Sequence, residues 1–194
     1  MKKFELTAKF KLVFGKKLFQ IRALIDIEKY GVKAGDLGGW VEKEENLSHK
    51  GNAWVSGNAR VYDNAQVSDN AWVSDNARVY GNAWVSGNAR VYGNARVYDN
   101  AQVSDNARVY GDAWVYGDAF LKSCADILYI TGLGTVHRTT TAFRCENGKI
   151  KIVCGCFFGN IEAFKKQVIS TRTGKVKDEY LKFAELIEIY FRGE

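Results

Sequence analysis

Arg60, Arg78 and Arg96 stand eighteen residues apart, and each is followed two positions later by a tyrosine: Tyr62, Tyr80 and Tyr98. A guanidinium is a permanent cation with a planar fork of donors that matches phosphate and carboxylate, and a tyrosine ring offers a flat apolar surface beside it. Repeated at one interval, such pairs suit an anionic ligand with stackable rings, such as a nucleotide, held by binding alone and without a cofactor. The same residues also suit plain coverage of a strand face, arginine stems lying over tyrosine rings. Trp54 and Trp72 share the eighteen-residue interval. An exposed tryptophan stripe is commonly buried by a second copy, so this pair is expected to form an oligomer contact.

Bond-breaking chemistry has few candidates. The chain of 194 residues contains two histidines, His49 in "NLSHKGN" and His137 in "GTVHRTT", and either could act as a general base if a fold placed it in a cleft. There is no G-x-S-x-G elbow, no P-loop and no H-E-x-x-H. The four cysteines are Cys124, Cys145, Cys154 and Cys156. Cys154-Gly155-Cys156 is too tightly spaced for a C-x-x-C half-site and has no second pair, so no metal site is expected and the cysteines read as small buried apolar residues.

The elements that must hold these residues follow from a hexad. Alanine recurs at every sixth position from Ala53 to Ala125, thirteen times without a slip. On a helix, six residues at roughly 100° each advance by about 240°, which scatters the alanines around the cylinder. Within each unit the order alanine, variable residue, valine, serine or tyrosine alternates inward and outward as a short strand does. A Gly-Asn or Asp-Asn pair follows, as at Gly57-Asn58 and Asp63-Asn64, and these types accept left-handed backbone at a corner. Three strands and three corners make an eighteen-residue coil, so residues eighteen apart stack on one face. The first face then carries Arg60, Arg78, Arg96 and Trp114. The second carries Trp54, Trp72, Arg90 and Arg108, and the third Gln66, Trp84, Gln102 and Phe120.

The motif resembles the hexapeptide repeat of left-handed parallel β-helices, in which an aliphatic residue and a small residue four later, here Val55 and Ala59, point inward. The handedness is implied by that resemblance alone, and a tyrosine after the valine departs from the family habit of a small residue there. The best-known enzymes of this architecture are acyltransferases that typically trimerise, bind coenzyme A between coils and use a histidine as base. Transferred here, the resemblance leaves His49 and His137 as the bases available and an acyl-coenzyme A as donor. Both lie outside the array, and no long loop interrupts it to build a substrate wall. The phrases "GDLGGWV" and "ENLSHKGNAWV" before the array, and "CGCFFGNIEAF" after it, are similar to a family of uncharacterised phage and prophage proteins, which implies a role toward a host.

The flanks read differently. "KFELTAKFKLVF" and "KLFQIRALIDI" form a β-hairpin or short meander, and residues 31–50 an irregular capping turn with tight turns at Gly35, Gly38 and Gly39. Past the array, Asn147-Gly148 between alternating runs marks a hairpin. Asn160 caps a helix that Gly174 stops, and Asp178 starts a last helix. The expected architecture is mainly β: a left-handed parallel β-helix of about four coils over 51–130, an N-terminal β cap over 1–50 and a small α+β domain over 131–194. The net charge of +6 divides as +4, −2 and +4 over residues 1–50, 51–120 and 121–194, a mild excess that permits a polyanionic partner. The N-terminus has no apolar run of signal-peptide length and no stretch approaches a membrane span, so a cytoplasmic protein with reduced cysteines and no membrane partner is expected. The functional expectation is a non-enzymatic, phage-type binding protein, a homodimer or trimer, that sequesters a host protein or a small anionic ligand. The alternative is the acyltransferase.

Overall fold

A computed structural model describes residues 1–192. Twelve two-residue strands, β4 (Trp54–Val55) to β15 (Phe120–Leu121), begin every six residues and pair in parallel with the strand eighteen residues on. Every valine of these strands and every alanine from Ala53 to Ala119 is buried. Each corner turns on a glycine or aspartate with left-handed backbone, from Gly57 at φ +62° to Asp105 at +51°. The three ladders run in the register expected from eighteen-residue spacing: Arg60 opposite Arg78 opposite Arg96, Trp72 opposite Arg90, Gln66 opposite Trp84.

The solenoid has five turns, not four. Strand β3 (Leu37–Val41) pairs Trp40 and Val41 with Arg60 and Val61, and Leu47 bridges Val67, so residues 37–49 form a first, irregular turn. The thirteenth alanine, by contrast, does not join. Ala125 is exposed in a 3₁₀ turn over Cys124–Asp126, because the Asp126 carboxylate accepts hydrogen bonds from the Lys122 and Ser123 amides and pulls the chain out of the coil.

In a parallel solenoid each coil receives amide donors from the coil before it, so the first regular coil has carbonyls with no donor above. The Glu42 and Ser48 amides serve Val61 and Val67, and three different groups serve the alanine carbonyls. The Trp40 amide donates to the Ala59 carbonyl at 3.0 Å. The Asn46 side-chain amide donates to Ala65 at 2.8 Å and to Asp63 at 3.1 Å, and the buried Lys3 ammonium donates to Ala53 at 2.7 Å. Burial lowers the Lys3 pKa to about 8.

The hairpin of β1 (Phe4–Val13) and β2 (Lys16–Ala23) extends the first face beyond β3. Gly38 and Gly39 are not turn residues: they lie inside β3. A Cβ on Gly38 would meet Ile21 Cγ1 at 2.6 Å and Trp54 Cζ2 at 2.7 Å, and one on Gly39 would meet Val55 Cγ1 at 2.7 Å. The strand therefore presses directly onto the first coil, which buries Trp54 to 2% exposure.

At the other end an antiparallel sheet of β16 (Ile127–Leu133), β17 (Arg138–Arg144), β18 (Ile150–Cys154) and β19 (Phe157–Gly159) lies across the last coil. Alternation along its strands divides the work. Phe143 and Val153 pack on the solenoid core, while Ala142 and Ile152 pack on α1 (Ile161–Thr171) and α2 (Gly174–Phe191). The Thr141 hydroxyl is placed to accept from the Trp114 amide at 3.4 Å. The Asn160 side chain caps α1 by accepting from the Ala163 amide, as its position predicts. Helix α2 starts at Gly174, four residues before Asp178. Left-handed backbone at Gly174 (φ +54°) lets the chain reverse within Arg172–Thr173, so Val176 joins the helix and packs on its core. Among the described residues no helix is long and apolar enough to cross a membrane.

The cap makes a direct prediction. Asn46→Ala strips donors from two carbonyls under the first turn, at roughly 2–3 kcal/mol for buried polar groups left unpaired, whereas Asn82→Ala in an exposed corner should cost well under 1 kcal/mol. Urea denaturation of the two variants measures the difference.

Candidate functional site

The outer surface of the first face is built by chain alternation: with valine and alanine turned in, the residue between them must point out. The resulting ladder is longer than the sequence suggests and has aromatic ends, running Trp40, Arg60, Arg78, Arg96, Trp114. The Arg96 guanidinium lies 4.4 Å from the centre of the Trp114 ring. A fourth cation arrives from the hairpin, where Lys11 sits 4.1 Å over the Trp40 ring. Burial, together with repulsion from Arg60 and Arg78, lowers the Lys11 pKa to about 8. Arg60 is likewise depressed by burial and by Arg78. Among the described residues no carboxylate lies within ion-pair distance of Lys11, Arg60, Arg78 or Arg96. Like charges directly opposite one another on a sheet repel, and the aromatic rings at both ends offset only part of that.

Two residues further along each strand the tyrosines form a column. Ring centres of Tyr62 and Tyr80 are 5.0 Å apart, those of Tyr80 and Tyr98 4.8 Å, and those of Tyr98 and Tyr116 4.6 Å, all nearly parallel. Val13 and Leu18 of the hairpin cover Tyr62, and Phe158 meets Tyr116 at 4.6 Å. The faces of the column are thus closed from end to end, by neighbouring rings along it and by aliphatic side chains at Tyr62. Tyr62 is itself buried, and Tyr80, Tyr98 and Tyr116, half-buried, present their edges beside the arginines.

The second face is partly covered. Trp54, expected on an outer contact surface, is buried beneath β3 and cannot touch a partner. Trp72 is half-buried, with the Tyr30 ring 4.9 Å away, and its Nε1–H donates to Ser56 Oγ at 3.0 Å. The segment that carries Tyr30 runs down this face as far as Lys29, whose ammonium donates to the Asn88 side chain.

The two histidines lie at opposite ends of the solenoid. His49 stacks on Phe4 at 4.4 Å, and its Nδ1 accepts the Lys3 amide at 3.2 Å. That bond places the ring proton on Nε2 and occupies the lone pair that a general base would use. Burial lowers its pKa despite the Glu44 carboxylate 4.0 Å away. His137 stands in an exposed turn with φ +49°, its Nδ1 3.3 Å from the Gly132 carbonyl. The cysteines are not uniformly buried: Cys145 is, its thiol pKa pushed up to about 12 by burial, whereas Cys124 and Cys156 are exposed because they sit in turns. Among the described residues no group of three or more His, Cys, Asp or Glu is set to hold a metal ion.

Lys11 and Trp40 are the site residues that spacing alone misses. Alternation in β1 does place Lys9 and Lys11 on one side and Phe10 and Leu12 on the other, but which side meets the arginines depends on how the hairpin docks.

Comparison with known proteins bears on the array. Residues 53–69, 71–87, 89–101 and 101–117 match the family model described as the YdcK β-solenoid repeat. The first three matches begin eighteen residues apart, one per coil, and both flanks lie outside them. No curated protein is similar enough to the chain to count as a relative.

The tyrosine column has a pH signature. Burial raises the Tyr62 pKa from 10.0 to about 12, so the folded protein keeps a proton that the unfolded chain has lost, and stability falls as pH rises from 10 through 12. Denaturation curves across that window should show the wild type losing stability relative to Tyr62→Phe.

Proposed function

We propose that the protein acts by binding rather than catalysis, and that the ladder of Lys11, Arg60, Arg78 and Arg96 takes the phosphate-rich part of an anionic ligand of the nucleotide class. The observation that carries this reading is the set of four cations along one face with no carboxylate partner among the described residues. At roughly 4.8 Å per coil the ladder suits several phosphates in a row better than a single one. The tyrosine faces are closed by their neighbours, so recognition falls on charge and on ring edges, without intercalation of a base. In this reading the ligand is a host-cell factor, in keeping with the resemblance of the flanks to phage and prophage proteins. No observation favours acyl transfer: the lone pair of His49 is engaged, and His137 lies in an exposed turn beyond the coils.

Isothermal titration of a nucleoside triphosphate and of a short single-stranded oligonucleotide into wild type and Arg78→Ala/Arg96→Ala tests the reading. Losing two charge-assisted contacts should weaken binding by at least about tenfold, flatten the dependence on salt and leave the melting temperature within a few degrees. Unchanged affinity in the double variant would sink the proposal.

A further inference from the structure

The first and second faces have the same backbone and the same valine and alanine interior, yet they differ in the column beside the corner, and the second is hollowed. On the first face the corner-side column is tyrosine at every regular coil. On the second the equivalent column begins with Ser56 and Ser74 and changes to Tyr92 and Tyr110, which stack at 5.1 Å. Two serines in place of two rings leave a groove of about 460 Å³, lined by Trp72, Ser74, Asp75, Arg90, Tyr92 and Arg108. That volume is in the range of small-molecule sites. The rim at Trp72 is braced by the Tyr30 ring and by the hydrogen bond to Ser56, so the groove is held open.

The groove is chemically polarised along the solenoid axis. At one end Arg90 and Arg108 are opposed in register, both exposed, and neither forms an ion pair among the described residues. One or two coils away stand Ser74, whose hydroxyl has no hydrogen bond among the described residues, and Asp75. One carboxylate oxygen of Asp75 accepts from the Gly93 amide at 3.0 Å, and the other accepts no hydrogen bond among the described residues. An anion fits the arginine end and is repelled from the aspartate end. A group that donates and accepts hydrogen bonds, such as a pair of hydroxyls, fits the aspartate and serine.

We infer that this groove is a separate site for a small phosphate monoester whose carbon frame bears hydroxyl groups, phosphate on Arg90 and Arg108 and hydroxyls on Ser74 and Asp75. A sugar phosphate and a ribonucleoside monophosphate share that chemistry. The inference is independent of the first-face reading, since the two sites have no residue in common.

Titration calorimetry with ribose 5-phosphate, adenosine monophosphate and inorganic phosphate provides the test. Ser74→Tyr extends the Tyr92 column by one ring, as Tyr80 extends Tyr98 on the first face, and fills the groove. It should weaken both esters at least tenfold while leaving the melting temperature unchanged or raised, and Arg78→Ala/Arg96→Ala should leave groove binding untouched. Asp75→Asn keeps a residue that tolerates left-handed backbone and should weaken the esters without affecting inorganic phosphate. Equal affinity for the two esters assigns the sugar phosphate as the recognised unit, and tighter binding of the nucleotide adds the base to it. The proposal is overturned if neither ester binds, if Ser74→Tyr binds as well as wild type, or if inorganic phosphate binds as tightly as the esters.

Discussion

The backbone ladder that joins residue n to residue n+18 is the constraint on which the rest of this protein depends. Each coil takes its donors from the one before, and the alanine, valine and leucine that fill the interior of the regular coils have no side-chain donor or acceptor to settle the account. Regular coils therefore satisfy one another, and the problem collects at the two ends. At the N-terminal end the three alanine carbonyls are met by one main-chain amide, one asparagine amide and one lysine ammonium, three unlike groups at three equivalent places, while the Glu42 and Ser48 amides serve Val61 and Val67. The C-terminal end is closed by a strand laid across it, with Thr141 meeting the Trp114 amide. The flanks are chemically irregular because the three corners they must serve are reached by the chain from different directions.

With the inside spoken for, information can be stored only outside. A change at an outward position costs little packing, so neighbouring coils can carry arginine, tryptophan or glutamine at equivalent places without altering the backbone. The first two faces demonstrate the range. A continuous column of tyrosines makes one a smooth, cation-lined wall, and two serines make the other a trough with opposite polarity at its ends. Rigidity follows from the ladder, so outward groups keep a fixed spacing along the axis, the condition for binding several charges of one ligand at once.

Legibility divides along the same line. Periodicity alone placed every regular strand, the three faces and their register, and local chemistry placed the Asn147-Gly148 turn and the Asn160 cap. What periodicity could not reach were contacts between distant segments. Gly38 and Gly39 look like turn residues in sequence because their reason for lacking a side chain, close approach to Trp54 and Val55, lies fifteen or more residues away. Trp54 reads as surface by the arithmetic of the hexad and becomes core only because β3 crosses it. Lys11 reaches the arginines through a hairpin whose docking angle no local pattern encodes. Ala125 keeps the repeat in letters after the chain has left the coil, since Asp126 offers the backbone a better set of hydrogen bonds than a sixth turn would.

The corners hold a further rule. Along two of the three corner ladders aspartate and glycine take turns: Gly51, Asp69, Gly87, Asp105 on one, and Asp63, Gly81, Asp99, Gly117 on another; the third, Gly57, Asp75, Gly93, Gly111, keeps the alternation for three coils and ends on a second glycine. The carboxylates of Asp63, Asp69 and Asp75 accept from the amides of Gly81, Gly87 and Gly93, and a Cβ on Gly87 would meet the Asp105 nitrogen at 2.6 Å. On those two corners the repeating unit is therefore a pair of coils, thirty-six residues. Loss of one coil by unequal recombination would set Asp63 over Asp99, charge on charge, and forfeit the carboxylate bonds. Loss or gain of two preserves the alternation. Descendants of such a gene should change length in double steps, a parity imposed by corner electrostatics on a lineage whose hydrophobic core would accept any whole number of turns.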